Sequence, residues 1–89
     1  MAWKIEFTAA AQHDLKKIDS TNAKRILIYL TTRVAAADDP RSLGSRLKGT
    51  EFEGVWRFRV GDYRILTRME RNILTVIIIE IGHRREIYR

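Results

Sequence analysis

Eighty-nine residues, 45% of them apolar and 31% charged, are enough for one small globular domain over 1–89 and too few for a second. The chain has no cysteine and two histidines far apart, His13 and His83, which excludes a disulfide framework, a cysteine nucleophile and a thiolate metal site and leaves a zinc site short of ligands; no metal or cofactor is expected. The apolar run Val76 to Ile79 is far short of a membrane span, no basic-then-apolar leader opens the sequence, and the net charge of +6 points to an anionic partner, so a soluble cytoplasmic domain is expected, with no membrane association.

Trp3 to Phe7 alternates apolar and polar residues, the pattern of a short strand. Thr8 is a good N-cap, and Ala9 to Ile18 favours helix, with Ala11, Leu15 and Ile18 on one face. Asp19, Ser20 and Thr21 interrupt that helix and can cap a second. Ala23, Ile26, Leu27, Leu30 and Val34 then form a helical stripe. Asp38-Asp39-Pro40 ends it, because proline disfavours helix in the residue before it. The two helices form an antiparallel hairpin with both apolar stripes turned to a common core.

The period then changes. Val55 to Val60 alternates, Gly61-Asp62 signals a turn, and Tyr63 to Glu70 alternates again. Arg71-Asn72 suggests a second turn, and Ile73 to Ile81 is nearly all apolar and β-branched, as expected of a strand covered on both faces. The fold class is therefore α+β: an N-terminal strand, an antiparallel helix hairpin and a three-stranded antiparallel meander, with the helix pair packed on one sheet face.

Charge is unevenly placed along this order. Residues 1–40 hold six basic and five acidic side chains, whereas residues 41–89 hold eleven basic and six acidic, and ten of those eleven are arginine. Arginine offers a planar fork that pairs two phosphate oxygens and stays charged at any working pH. Solubility alone would be served as well by lysine, so the bias points to phosphate, and hence to nucleic acid.

A two-residue turn at Gly61-Asp62 sets the hairpin register. Val60 then opposes Tyr63, Arg59 opposes Arg64, Arg57 opposes Leu66 and Val55 opposes Arg68. Trp56, Phe58, Val60, Tyr63 and Ile65 share the face expected in the core, and Arg57, Arg59, Arg64 and Arg68 share the other. Like charges directly opposite on a sheet cost about 0.2–1 kcal/mol per pair. A bound polyanion relieves that cost, so Arg57, Arg59 and Arg64 read as a phosphate cradle; a solvated outer face with splayed arginines is the alternative. Beyond the last strand lies Gly82-His83-Arg84-Arg85-Glu86-Ile87-Tyr88-Arg89. Gly82 allows a bend that would return the following side chains over the arginine face, where His83 and Tyr88 offer acid–base chemistry.

Leu47-Lys48-Gly49, then Trp56 to Arg64, then Gly82 to Arg89, resemble in their order and spacing the RelE/ParE toxin superfamily of type II toxin–antitoxin systems. The resemblance covers essentially the whole chain, and the arginine-rich pattern with its terminal Arg…Tyr looks closest to the RelE branch. That branch implies a small RelE-like sandwich and a ribosome-dependent mRNA endonuclease, acting on mRNA in the ribosomal A site and neutralised by a cognate antitoxin in a hetero-oligomer. The family's catalytic positions fall on Arg57, Arg59, Arg64, Arg84 and Tyr88. RelE-type enzymes can have lysines at the first two, and the segment between Arg84 and Tyr88 is two residues shorter here than in the best-known member. Arg46, Lys48, Arg68, His83 and Arg85 are expected to bind substrate around them.

The implied reaction is attack of an RNA 2′-hydroxyl on its own 3′ phosphate, with release of a 5′-hydroxyl fragment. Arg57, Arg59 and Arg64 would hold the phosphate, Tyr88 or His83 would take the 2′ proton, and Arg84 would stabilise charge at the leaving oxygen. Two rival functions remain: a ParE-like inhibitor of DNA gyrase, and a nucleic-acid-binding module without catalysis. Both dispense with the acid–base pair.

Overall fold

The computed structural model describes residues 2–49 and 53–83. Its elements are β1 (Lys4–Phe7), α1 (Ala9–Lys17), α2 (Ser20–Tyr29), a π-helical turn (Leu30–Val34), a 3-10 turn (Pro40–Leu43), β2 (Ser45–Arg46), β3 (Val55–Val60), β4 (Tyr63–Glu70), a second 3-10 turn (Arg71–Ile73) and β5 (Thr75–His83). The strands form one sheet in the order β1-β5-β4-β3-β2. The α+β class, the helix pair and the β3-β4-β5 meander agree with the sequence reading. β1 lies parallel to β5, and β2 adds a two-residue edge beside β3.

The helix boundaries follow from local chemistry. The Thr8 hydroxyl accepts from Ala11 N at 3.1 Å, capping α1, and donates to Ile78 O at 3.0 Å, which ties the cap to β5. Asp19 caps α2 by accepting from Asn22 N at 3.1 Å. Hydrogen bonds from Asn22 hold its carboxyl below the usual aspartate range. Ile26, Leu30 and Val34 are fully buried at spacings of four. The π-helical turn closes on Ala35 N to Leu30 O at 2.9 Å and brings Val34 onto the same face. Leu27 departs from the expected stripe: it is 37% exposed, one position around the helix from Ile26. No helix among the described residues is long and apolar enough to cross a membrane.

The core lies between the helix pair and one sheet face. Ala11, Ile26, Leu30 and Val34 meet Trp3, Phe58, Ile65, Val76, Ile78 and Ile81. Burial of each large aliphatic or aromatic side chain contributes about 1.5–3 kcal/mol.

The last strand differs from the expected one. Ile73 sits in the 3-10 turn at 67% exposure, Leu74 takes a left-handed conformation (φ 46°), and the strand starts at Thr75. Ile77 and Ile79 are half-buried rather than buried, so β5 is less completely covered away from the helices than on the helix side. The strand also carries a β-bulge: Leu66 pairs with Glu80 but Thr67 with Ile78, which leaves Ile79 unopposed. Side-chain alternation therefore shifts at Ile79. The Ile81 N–H beyond it donates to Asp14 Oδ2 on α1 at 3.1 Å.

Candidate nucleic-acid interface

The β3–β4 hairpin carries the site. Gly61 has a φ of 60°, and Asp62 is not among the positive-φ residues. Positive φ at the first turn position alone is the type II′ pattern, which matches the right-handed twist of the flanking strands and favours glycine there. The resulting register pairs Arg59 with Arg64, Arg57 with Leu66 and Val55 with Arg68. Arg57, Arg59, Arg64 and Arg68 thus share the sheet face away from the helices.

The four arginines are not equivalent. Arg59 and Arg68 are exposed, Arg57 is half-buried, and Arg64 is only 8% exposed. Leu66 and Val55 are buried on the same face, so the guanidinium groups surround an apolar floor. Arg64 Nη1 donates to Tyr63 O at 3.4 Å and to Gly61 O at 3.5 Å, both long contacts. Arg68 Nη1 donates to Glu53 O at 3.0 Å, which directs it to the loop before β3. Burial first, and then the charges of Arg59 and Arg64, push the Arg57 guanidinium below the ordinary arginine range. The positive field of the face is thus felt by its own members. Planar guanidinium groups on adjacent strands can hold a phosphate and stabilise further charge developing on it.

Arg46 and Lys48 lie beside this face rather than on it. Arg46 pairs with Trp56, a residue of the helix-side face, and Ser45 is the β2 residue opposite Arg57. Both basic residues are exposed and, with Leu47, Gly49 and Glu53, line a cavity of about 600 Å³ at the sheet edge. Gly44 sets how closely this segment approaches: a Cβ there would lie 2.8 Å from Arg57 O and 3.0 Å from the Phe58 ring.

His83 is placed differently from the sequence expectation. It belongs to β5 and pairs with Tyr63, a core-packed residue, so it lies on the helix-side face, opposite to Arg57, Arg59 and Arg64. The two rings meet edge-to-face, centroids 5.7 Å apart at 83°. The bulge at Ile79 is the cause, because it reverses the alternation of every residue after it. Arg84, Arg85 and Tyr88 lie outside the described residues. Among the described residues, no three His, Asp or Glu side chains come together as a metal site. Asp14 was not legible as a site residue: it is an ordinary polar position on α1, and its link to Ile81 spans 67 residues of chain.

Known proteins share this architecture. The toxin–antitoxin complex RelBE2 from Mycobacterium tuberculosis contains a chain that superposes with a TM-score of 0.84 at 24% identity, covering 93% of this chain and 92% of that one. The intact RelBE complex of Escherichia coli gives 0.70 at 15% identity, covering 92% and 96%. Toxin RelG of Mycobacterium tuberculosis is 29% identical over 89 residues, all of this chain and 99% of that protein. The family model described as the ParE toxin of the type II toxin–antitoxin system parDE matches residues 5–88. Only the extreme ends of the chain fall outside that match, and by it the protein belongs to the RelE/ParE family of type II toxin–antitoxin toxins.

Proposed function

We propose that this toxin is a ribosome-dependent mRNA endonuclease that acts in the cytoplasm and is silenced by a cognate antitoxin. The observation that carries the reading is the placement of Arg57, Arg59 and Arg64 on the one sheet face away from the helices, with Arg57 destabilised as a cation by burial first and then by the charges of the other two. Binding of a phosphodiester relieves that repulsion. In the reaction, the 2′ oxygen of the RNA bonds to the adjacent phosphorus, the bond from phosphorus to the 5′ oxygen breaks, and a cyclic phosphate and a 5′-hydroxyl result. The nucleophile belongs to the substrate, so the protein's share is positioning, charge stabilisation and proton transfer.

Arg57, Arg59 and Arg64 hold the non-bridging oxygens. Of the two residues offered for the 2′ proton, Tyr88 is the one this reading keeps, because His83 lies on the other sheet face. Arg84 stabilises charge at the leaving oxygen, which takes its proton from water, because a guanidinium holds its own proton too tightly to donate it readily. The ribosome supplies alignment that a single small sheet does not. The solved toxin–antitoxin complexes among the similar structures support an antitoxin partner. Acidic residues and an amphipathic helix would complement the arginine face and the exposed apolar side chains of α2.

A second reading, gyrase inhibition, is favoured by the ParE description of the matching family model. One experiment separates the two. Purified protein is incubated with ribosomes stalled at a defined codon, without added metal, and mRNA ends are mapped by primer extension; a supercoiling assay with DNA gyrase runs in parallel. A cut within the A-site codon, lost in Arg64→Ala, is expected. Intact mRNA at several codons together with blocked supercoiling would replace the nuclease reading by the gyrase one.

A further inference from the structure

The hairpin tip has a second side. The Gly61 carbonyl accepts from Arg64 Nη1 at 3.5 Å. A Cβ at Gly61 would point the other way, 3.6 Å from both Nη1 and Nη2 of Arg25 on α2. Two guanidinium groups from different elements therefore flank one glycine. Beyond it opens a cleft of about 340 Å³, lined by Asn22, Arg25, Gly61, Asp62, Tyr63 and His83. Sites for small organic ligands begin at about 300 Å³.

The lining is ordered by its own contacts. Asn22 Nδ2 donates to Asp19 Oδ1 at 3.0 Å, and Asn22 Oδ1 accepts from Arg25 Nη1 at 3.3 Å, so the N-cap of α2 orients the guanidinium. Tyr63 and His83 present an edge-to-face ring pair. Arg25 suits an anion, whereas Asp62 opposes a free one. A nucleotide uses both, since its phosphate meets the cation and a base amino group can donate to the carboxylate.

We propose that this cleft is a ribonucleotide subsite, holding an RNA nucleotide next to the phosphate bound on the arginine face. Arg25 contacts its phosphate, Asp62 accepts from its base, and the Tyr63–His83 pair packs against the base. With no side chain on Gly61, an RNA backbone can cross the tip close to both arginines. The inference rests on the RNA reading above and extends it to the helix side of the sheet.

The test reads binding rather than cleavage. A fluorescent RNA hexamer, 2′-O-methylated throughout and so lacking the nucleophile, is titrated by anisotropy at several salt concentrations. The proteins are wild type, Arg25→Ala, Arg25→Lys and Arg33→Ala. Arg33 is exposed about 12 Å further along the same helical run, so its loss removes equal charge elsewhere. Arg25→Ala should bind about tenfold more weakly and lower the slope of log affinity against log salt by about 0.7, the value of one single-strand phosphate contact. Arg25→Lys should keep the slope, and Arg33→Ala should leave both quantities near wild type. The ring signals of His83 should shift on RNA addition while those of His13, exposed on α1, stay in place. Equal effects of Arg25→Ala and Arg33→Ala, or an unmoved His83, would overturn the subsite. If ribosome-bound mRNA is still cut by the wild type, the nuclease reading survives that result; a wild type that neither cuts mRNA nor binds the hexamer ends both.

Discussion

Arg64 is the least exposed member of the arginine face, and its replacement tests the cradle most sharply. Arg64→Met keeps an unbranched chain in a position that is 8% exposed and removes the charge. The nuclease mechanism predicts a rate loss of about 100- to 1000-fold, or about 2.7–4 kcal/mol of transition-state stabilisation, as for other single donors to a developing oxyanion. Stability should move far less. Among the contacts it forfeits, those of 3.4 and 3.5 Å to carbonyls one and three residues away are long and contribute little. It also removes the facing pair with Arg59, which costs about 0.2–1 kcal/mol. A net change below about 1 kcal/mol shifts the melting midpoint of a domain this size by no more than about 4–8 °C.

That bound separates chemistry from unfolding. A domain stable by about 5 kcal/mol that loses 1 kcal/mol is still roughly 99.9% folded. The assay is single-turnover cleavage on stalled ribosomes with toxin in excess, beside thermal melts followed by circular dichroism. Arg64→Lys should lie between Met and wild type, since it keeps the charge but not the planar fork. Cleavage by Arg64→Met at the wild-type rate would refute the cradle. So would a loss matched by unfolding at the assay temperature, because the defect would then lie in the fold.

Three further outcomes follow from single contacts. Hydrogen bonding from Arg41, first from its side chain and then from its backbone, lowers the Asp39 carboxyl from 3.8 to about 2; a depressed carboxylate pKa stabilises the fold above the unfolded value, and the contribution is lost as pH falls from 3.8 through about 2, so Asp39→Asn should flatten the melting profile across that window relative to wild type. Gly44→Ala places a Cβ 2.8 Å from Arg57 O, and the displaced edge should cost about 1–3 kcal/mol, read as a lower urea midpoint. Asp14→Ala strands the Ile81 N–H and should cost about 1–3 kcal/mol, with faster hydrogen exchange at that amide; Asp14→Asn retains an acceptor and should cost less.

What was legible in the sequence follows from where its information is local. The β3–β4 register could be read because Gly61-Asp62 fixes the turn and strict alternation runs on both sides of it, so Arg59 against Arg64 needed no further input. The helices were legible from Thr8 and Asp19, whose side chains cap them. β2 was not, because two residues show no period. Nor was the parallel pairing of β1 with β5, since parallel partners are joined by no turn and these sit some 70 residues apart. The helix-side position of His83 was hidden by the run Val76-Ile77-Ile78-Ile79, in which uniform apolarity leaves no mark where alternation slips. Arg25 escaped notice as one more exposed cation on a helix; only the turn brought against it by the tertiary fold makes it one wall of a cleft.

The bulge itself has a cause in the sequence. Continuing the pairing of Thr67 with Ile78 without an extra residue would set Glu80 opposite Ile65, a fully buried side chain, and turn Ile81 outward beside Arg64. A carboxylate in an apolar core without partners costs several kcal/mol. Leaving Ile79 unopposed returns Glu80 to the exposed face opposite Leu66 and Ile81 to the core. Deleting Ile79 should therefore be tolerated, because the ladder then runs regularly from Thr67–Ile78 to Leu66–Glu80 and Ile65–Ile81, whereas exchanging the two polarities, Glu80→Ile with Ile81→Glu, should remove the bulge, because an apolar residue at 80 can then face Ile65 and a carboxylate at 81 can face Arg64. The exchanged protein should have Gly82 opposite Tyr63 and no His83–Tyr63 ring contact, measurable as loss of their cross-peaks, and the deletion variant should keep that contact. An exchanged protein that keeps the His83–Tyr63 contact would mean that the polarity of Glu80 and Ile81 is not what sets the two faces.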